Sequence, residues 1–216
     1  MNLKSLQFPN VGVITAVFTD EELAPLKEEI LEIQNNFNLA KKHNKKLVGH
    51  IKKEFELIKS KDHIKKILEP YIWEFDNSFG YLSSQSMLTS NCLLTLDAAW
   101  VNFQEKHEFN PSHNHSGVLS FVIWIEIPYS IGDENMYSPG AESSSPLAGK
   151  FTFYYTNSLG KIWRQDIDAD KSMENHFFIF PAELNHSVAP FYTSDKYRIS
   201  VSGNYKFQIP ENNKDE

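Results

Sequence analysis

From about residue 92 onward the chain breaks into short segments rich in β-branched and aromatic residues: CLLTLDA, AWVNF, VLSFVIWIEI, KFTFYYT, KIWRQDI, HFFIF, HSVAPFY and YRISVSGNY. Such side chains suit a pleated surface better than a helix, and turn-forming residues separate the segments, so they read as strands. Seven or eight strands in that span predict a sandwich or jelly roll rather than a parallel sheet. Asn157-Ser-Leu-Gly160 predicts a hairpin loop between two of them. Residues 129–149, YSIGDENMYSPGAESSSPLAG, are too rich in Gly, Ser and Pro for a core element. A segment of that length in a compact β domain is expected to be a lid or binding loop.

The first eighty or so residues read as a strand followed by helices. Thr19-Asp-Glu-Glu22 fits a capping box, and Leu23, Leu26, Ile30, Ile33 and Phe37 recur at helical spacing, with Pro25 placing the start of the regular part near itself. Ile64, Ile67, Leu68, Tyr71 and Phe75 mark a second amphipathic helix, which Pro70 is expected to kink or interrupt. These helices are expected to pack against the sheet. The expected organisation is one α+β domain over 1–216, mainly β, with helical support from 1–90 and a jelly-roll core from 91–208.

Hydrophobic residues make up 41% of the chain and aromatics 13%, enough bulk to offset chain entropy, so it folds. The single cysteine, Cys92, rules out an internal disulfide and a cysteine metal cage, and points to a reducing compartment. Histidines and carboxylates remain as metal ligands. The N-terminus lacks the pattern of a signal peptide and no long apolar run occurs, which predicts a soluble cytoplasmic protein without membrane partners. The net charge of −7 argues against nucleic acid as a partner. It is unevenly spread: residues 41–66 hold ten Lys against Glu54, Glu56 and Asp62, leaving −14 elsewhere. That segment reads as a solvated helix face, with an acidic docking partner as the alternative.

The stretch S-H-N-H-S-G at 112–117 opens the longest apolar run. In an extended strand His113 and His115 would project to one side, and two imidazoles on one face can chelate. His186, in F-I-F-P-A-E-L-N-H-S-V, lies at a strand start distant in sequence and is the best third ligand. His43, His50 and His63 fall in the basic segment read as helical; His107 and His176 read as structural or surface. Arg198, one of two arginines, sits in Y-R-I-S-V-S-G-N, where alternation puts Arg198, Ser200 and Ser202 on one face and Tyr197, Ile199 and Val201 on the other. An inward guanidinium requires a carboxylate from a ligand or from the protein, and Asp195 is the protein candidate.

A His pair followed by a distant His and then Arg-x-Ser about a dozen residues later resembles the Fe(II)- and 2-oxoglutarate-dependent oxygenases. The segments N-P-S-H-N-H-S-G, F-P-A-E-L-N-H-S-V-A-P-F and Y-R-I-S-V-S-G-N are similar to a branch of that superfamily found in phages and marine bacteria, with a prolyl-hydroxylase-like fold. The resemblance implies a double-stranded β-helix with His113, His115 and His186 at the Fe(II). It also implies Arg198 with Ser200 on the distal carboxylate of 2-oxoglutarate, and Asn102, Trp100 and Asn204 on segments that could line the pocket. The activity it implies is a dioxygenase, hydroxylating an unidentified substrate with O₂ and 2-oxoglutarate. The sequence departs from the pattern at His115, where most of the superfamily has Asp or Glu; Glu105, Glu108 and Glu183 are possible replacements. Three neutral imidazoles leave the centre at +2. Two alternatives share parts of this pattern: a three-His cupin-like or hydrolytic metalloenzyme without 2-oxoglutarate, and a non-enzymatic jelly-roll binding module. Neither uses an inward Arg-x-Ser as naturally as a dicarboxylate does.

Overall fold

The structure is a computed structural model and describes residues 10–85 and 92–208. The expected boundary near residue 90 lies outside the described residues. Two antiparallel sheets carry the fold. The major sheet runs β1 (Ile14–Val17), β8 (His176–Pro181), β5 (Leu119–Glu126), β10 (Arg198–Gln208), β3 (Leu93–Gln104) and β2 (Glu54–Glu56). The minor sheet runs β4 (Asn110–His113), β9 (Asn185–Val188), β6 (Lys150–Thr156) and β7 (Ile162–Asp168). Four helices accompany them among the described residues: α1 (Asp20–Asn35), α2 (Lys61–Phe79), α3 (Tyr81–Ser84) and α4 (Ile131–Tyr137). This is the expected jelly roll with helices on one side, with CLLTLDA and AWVNF joined into the single strand β3.

Both faces of the major sheet are covered, which is why β5 is apolar almost throughout. Phe121 and Ile123 join Val101, Phe103, Ile199 and Val201 in a core that includes Leu23, Leu26 and Ile30 of α1 and Leu68 and Phe75 of α2. The alternate residues Val122 and Trp124 face the minor sheet and pack with Phe151, Phe153 and Phe180. In β10, Gly203 sits where a Cβ would come within 2.6 Å of the Ala98 carbonyl oxygen and of the Phe121 ring, so only glycine allows the approach of these strands.

The capping box at Thr19 forms as expected: its hydroxyl accepts from Glu22 N and Glu22 Oε2 accepts from Thr19 N. Neither proline bounds or interrupts its helix. α1 begins at Asp20 and runs through Pro25, and α2 runs unbroken through Pro70. Both prolines are exposed, as are Glu21 and Lys66, whose carbonyls lose their helical partners, so the missing N–H falls on the solvent side of each helix. The hairpin at 157–160 closes with Gly160 at φ +75° and Asn157 Oδ1 accepting from Leu159 N and Lys161 N. The lysine-rich segment departs most from expectation. Residues 41–60 make a bridge at Lys42, a short 3₁₀ turn over Asn44–Lys46 and β2, and only from Lys61 does the segment turn helical. Four of its ten lysines pair with acids among the described residues: Lys41 with Glu56, Lys52 with Glu108, Lys53 with Glu105 and Lys59 with Glu32.

α1 is tied to the start of α2 by one buried carboxylate. Glu29 accepts from the backbone N–H groups of Ile58, Lys59 and Ser60 and from the Ser60 hydroxyl. Burial opposes its charge, but these bonds outweigh burial and hold its carboxyl below the usual range. Replacing Glu29 by Ala leaves donors of the α2 entrance unpaired and should cost about 2–3 kcal/mol in urea melts. The exposed neighbour Glu28→Ala should stay within about 0.5 kcal/mol.

Candidate metal centre and adjoining cleft

β4 and β9 are neighbours, and their register sets His113 directly opposite His186. β4 ends at His113, so His115 lies beyond the strand rather than on it; its backbone N–H is instead held by the Ala182 carbonyl at 2.8 Å. The three rings still converge, with centroids 4.4, 5.0 and 5.1 Å apart. One nitrogen from each falls within 4.8 Å of the others. No carboxylate joins this group among the described residues. Glu105 binds Lys53, Glu108 accepts from Glu105 N and Lys52 N, and Glu183 is exposed, so none of the three replaces His115.

His113 Nδ1 lies 2.7 Å from the Pro111 carbonyl and His186 Nδ1 lies 2.9 Å from the Leu184 carbonyl. A carbonyl can only accept, so each Nδ1 carries the proton and each Nε2 keeps its lone pair. Burial, reinforced by the neighbouring imidazoles, pushes His186 down to about 3 and His115 down to about 4; burial lowers His113 as well. All three are neutral at pH 7, the form that ligates a metal. Phe151 stacks on His186 and Phe180 meets its edge, so the ring's orientation is fixed by packing. Two oriented imidazoles and a third beside them, all neutral and within reach of a common ion, fit a divalent first-row metal.

The alternation along β10 is as predicted. Arg198, Ser200 and Ser202 line a cleft of about 660 Å³, open mouth included, which the three imidazoles also line. Ile199 and Val201 point into the helix-covered core. Asn102 stands opposite Ser200 and its amide donates to the hydroxyls of Ser200 and Ser202 at 3.1 and 3.3 Å. Arg198 is buried and has no carboxylate partner among the described residues. Asp195, the protein candidate, pairs with Lys106 instead. The guanidinium donates to Gln104 Oε1, the Tyr129 hydroxyl and the carbonyls of Gly149 and Ala189, all neutral. Its positive charge is thus surrounded by dipoles and left uncancelled.

Residues 129–149 do not cover the cleft, whose lining includes none of them. Glu134, fully buried in α4, accepts from Tyr192 N and from the backbone and hydroxyl of Thr193, and this anchors the segment beside Arg198 through Tyr129 and Gly149. Besides His115, the residues lining the cleft from outside the jelly-roll strands are Leu47, Val48 and Ile51 of the lysine-rich segment. Trp100 lines the cleft and packs against His115 at 5.7 Å, while Asn204 lies in a separate groove on the far side of His113 and His115. His43 stacks on Trp100 without joining the imidazole group, His50 stacks on Phe109, and His63 bonds the Glu22 carbonyl. His107 packs on Tyr192, and His176 bonds the Glu174 carbonyl. Gln104, Trp124 and Glu54 line the cleft and went unnoticed in the sequence. Gln104 had a legible signal, since it follows Asn102 by two in a strand; Glu54 in E-F-E had none.

The neutral imidazoles make stability depend on pH. The unfolded chain takes up protons near 6.5 while folded His186 resists until about 3, so the folded state is penalised as pH falls below 6.5. Above about 7 the contribution is constant. The stability of wild type relative to His186→Phe should therefore shift against wild type from pH 6.5 to pH 4, and melting curves of the two proteins over that range check it.

Residues 98–204 match the family described as "Putative 2OG-Fe(II) oxygenase", a span that contains all three imidazoles, Asn102, Arg198 and Ser200. No curated protein matches the chain by sequence. Among solved structures, the chain is similar to a Pseudomonas putida prolyl-4-hydroxylase, with TM-score 0.52, 11% identity, and coverage of 90% of this chain and 92% of that one. It is similar to a Trichoplax adhaerens prolyl hydroxylase at TM-score 0.51 and 12% identity over 91% and 84% of the two chains. The non-haem α-ketoglutarate-dependent epimerase SnoN of nogalamycin biosynthesis gives TM-score 0.56 and 12% identity over 90% and 77%. These likenesses share the double-stranded β-helix. With the family match and the imidazole cluster, they make the chain a member of the Fe(II)- and 2-oxoglutarate-dependent oxygenase superfamily, an enzyme whose cofactor is Fe(II) and whose cosubstrate is 2-oxoglutarate.

Proposed function

We propose that this oxygenase is a hydroxylase whose iron is held by His113, His115 and His186 and whose cosubstrate is seated by Arg198, Ser200 and Asn102. The observation that carries the assignment is one cleft with two complementary features: a neutral three-imidazole cluster and a buried guanidinium without an anionic partner among the described residues. When bound, iron and 2-oxoglutarate supply the oxidising chemistry, the cosubstrate ending as succinate and CO₂.

The chain's own residues bind, orient and exclude water. The Pro111 and Leu184 carbonyls fix two imidazoles with Nε2 forward, and Phe151 and Phe180 keep water from His186. Arg198 attracts a dicarboxylate because its charge is otherwise met only by neutral oxygens. Gln104 Oε1, which takes two of its N–H groups, is the partner that an incoming carboxylate replaces. Ser200 and Asn102, already bonded to each other, offer a hydroxyl and an amide beside it. A three-imidazole set keeps the metal's full +2 charge, which favours the chelating end of an anionic cosubstrate more than a set containing a carboxylate would. No helix among the described residues is long and apolar enough to cross a membrane. The reducing, cytoplasmic setting is part of this reading and rests on the single cysteine.

Anaerobic titration with Fe(II) and then 2-oxoglutarate should produce the visible charge-transfer band of a keto acid on ferrous iron. His186→Ala should abolish stoichiometric iron binding, and retention of iron would remove His186 from the ligand set. Arg198→Ala should raise the 2-oxoglutarate concentration for half-maximal band intensity at least about tenfold, the order of a lost charge-assisted contact. A proportionate loss of folding in that variant would assign Arg198 a structural role.

A further inference from the structure

The cleft has two chemically opposite ends. One is Arg198; the other is Glu54, which the iron and cosubstrate do not use. Glu54 on β2 stands opposite Asn102 on β3, and Asn102 stands opposite Ser200 on β10, so three strands set these side chains in one row. With neighbouring strands about 4.8 Å apart, Glu54 lies roughly 10 Å from the β10 end of that row. Arg198 lies two residues further along β10. The acid and the guanidinium share a cleft but are held too far apart to pair.

Glu54 is 4% exposed. Its Oε2 accepts from Asn44 Nδ2 at 2.9 Å, and that amide is fixed by a second bond to the Ile51 carbonyl. Its Oε1 has no partner. Two further buried acceptors that line the same cleft are also without one, Asn102 Oδ1 and Asn110 Oδ1. The backbone is shaped around the last of these: a Cβ on Gly49, at φ +143°, would fall 1.7 Å from Asn110 Oδ1. Burial, with repulsion from Glu108, raises the Glu54 carboxyl to about 8, so it enters neutral at pH 7 for want of a cation.

Each buried acceptor without a donor destabilises the empty cleft. A group that carries several N–H donors, no acceptor and a positive charge satisfies all three and pairs with the carboxylate as well. We propose that the Glu54 end of the cleft is a subsite for a cationic N–H group of the substrate, a primary ammonium or a guanidinium, with Glu54 as its carboxylate partner and Asn102 and Asn110 as neutral acceptors. Only the word substrate rests on the oxygenase reading; the subsite needs no metal. On binding, Glu54 releases its O–H proton to solvent, so a cation and a carboxylate replace a neutral acid, and the net charge of the subsite stays at zero. Trp100, two residues from Asn102 and on the same face, packs against His115. A molecule anchored at Glu54 therefore runs past Trp100 toward the imidazoles.

The test uses the full chain without metal at pH 7 and three small probes: n-butylammonium, methylguanidinium and the neutral n-butanol. Calorimetry in two buffers of different ionisation enthalpy reads affinity and proton release together. The expected result is that one of the cations binds one-to-one at least tenfold more tightly than butanol with release of about one proton, and that Glu54→Gln loses at least tenfold of that affinity. In wild type, carbon NMR of the Glu54 carboxyl should show its titration midpoint falling when the cation is added, a readout that survives if the variant fails to fold. Cations no tighter than butanol, unchanged binding in Glu54→Gln, or an unmoved midpoint would each overturn the subsite and leave Glu54 as a buried acid held by the Asn44 amide alone. The Fe(II) and 2-oxoglutarate band separates the two readings. Cation binding without the band supports the subsite and removes the metal assignment, whereas the band without cation binding overturns the subsite alone.

Discussion

Strand β10 is the element on which the rest of the molecule depends, because its period of two must serve two environments at once. It lies between β5 and β3 in the major sheet, so it is paired along both edges. Ile199 and Val201 enter the core under α1 and α2, and the residues between them, Arg198, Ser200 and Ser202, enter the cleft. A slip of one residue would bury three polar side chains among Leu26, Phe103 and Phe121 and turn the isoleucine and valine to the site. The apolar face therefore fixes the register of the functional face. Gly203 lets β10 pass the Phe121 ring closely enough for that register to continue into β5 and β3.

Electrostatics around the cleft follow from how little water reaches it. Burial removes the proton from three imidazoles and keeps one on Glu54, and the same burial leaves Arg198 charged because a guanidinium does not deprotonate. The protein thus holds neutral nitrogen donors and a fixed cation in one cleft, and in the proposed reading a metal ion and a dicarboxylate bring the complementary charges. Neither feature stabilises the empty fold. Both are costs that, in the proposed reading, a bound ion and a bound anion offset, the usual relation between a site and the scaffold that carries it.

Much of this was legible in residues 92–208. The alternation around Arg198, the placement of His186 at a strand start and the hairpin at 157–160 all follow from short-range geometry. Other features failed for identifiable reasons. Pro25 was read as marking the start of α1 and Pro70 as kinking or interrupting α2, but each helix continues through its proline, on a solvated face where an unpaired carbonyl costs little. Residues 129–149 looked like a lid because Gly, Ser and Pro dominate them, yet Glu134 fastens the segment to Tyr192 and Thr193 far along the chain. His115 reaches its neighbours although the strand ends before it, through a backbone bond to Ala182 that no local pattern encodes.

The sequence by itself determined the strand-rich class, the two faces of β10, the three candidate imidazoles and the exclusion of a cysteine-based site, because periodicity and residue chemistry are local properties. Tertiary structure alone decided that, among the described residues, no carboxylate joins the imidazoles and Arg198 has only neutral partners. It also decided that the segment containing Glu54 is not a helix face but an edge strand opposite Asn102. These outcomes depend on pairing between strands far apart in sequence, and on how much water that pairing removes from each buried group.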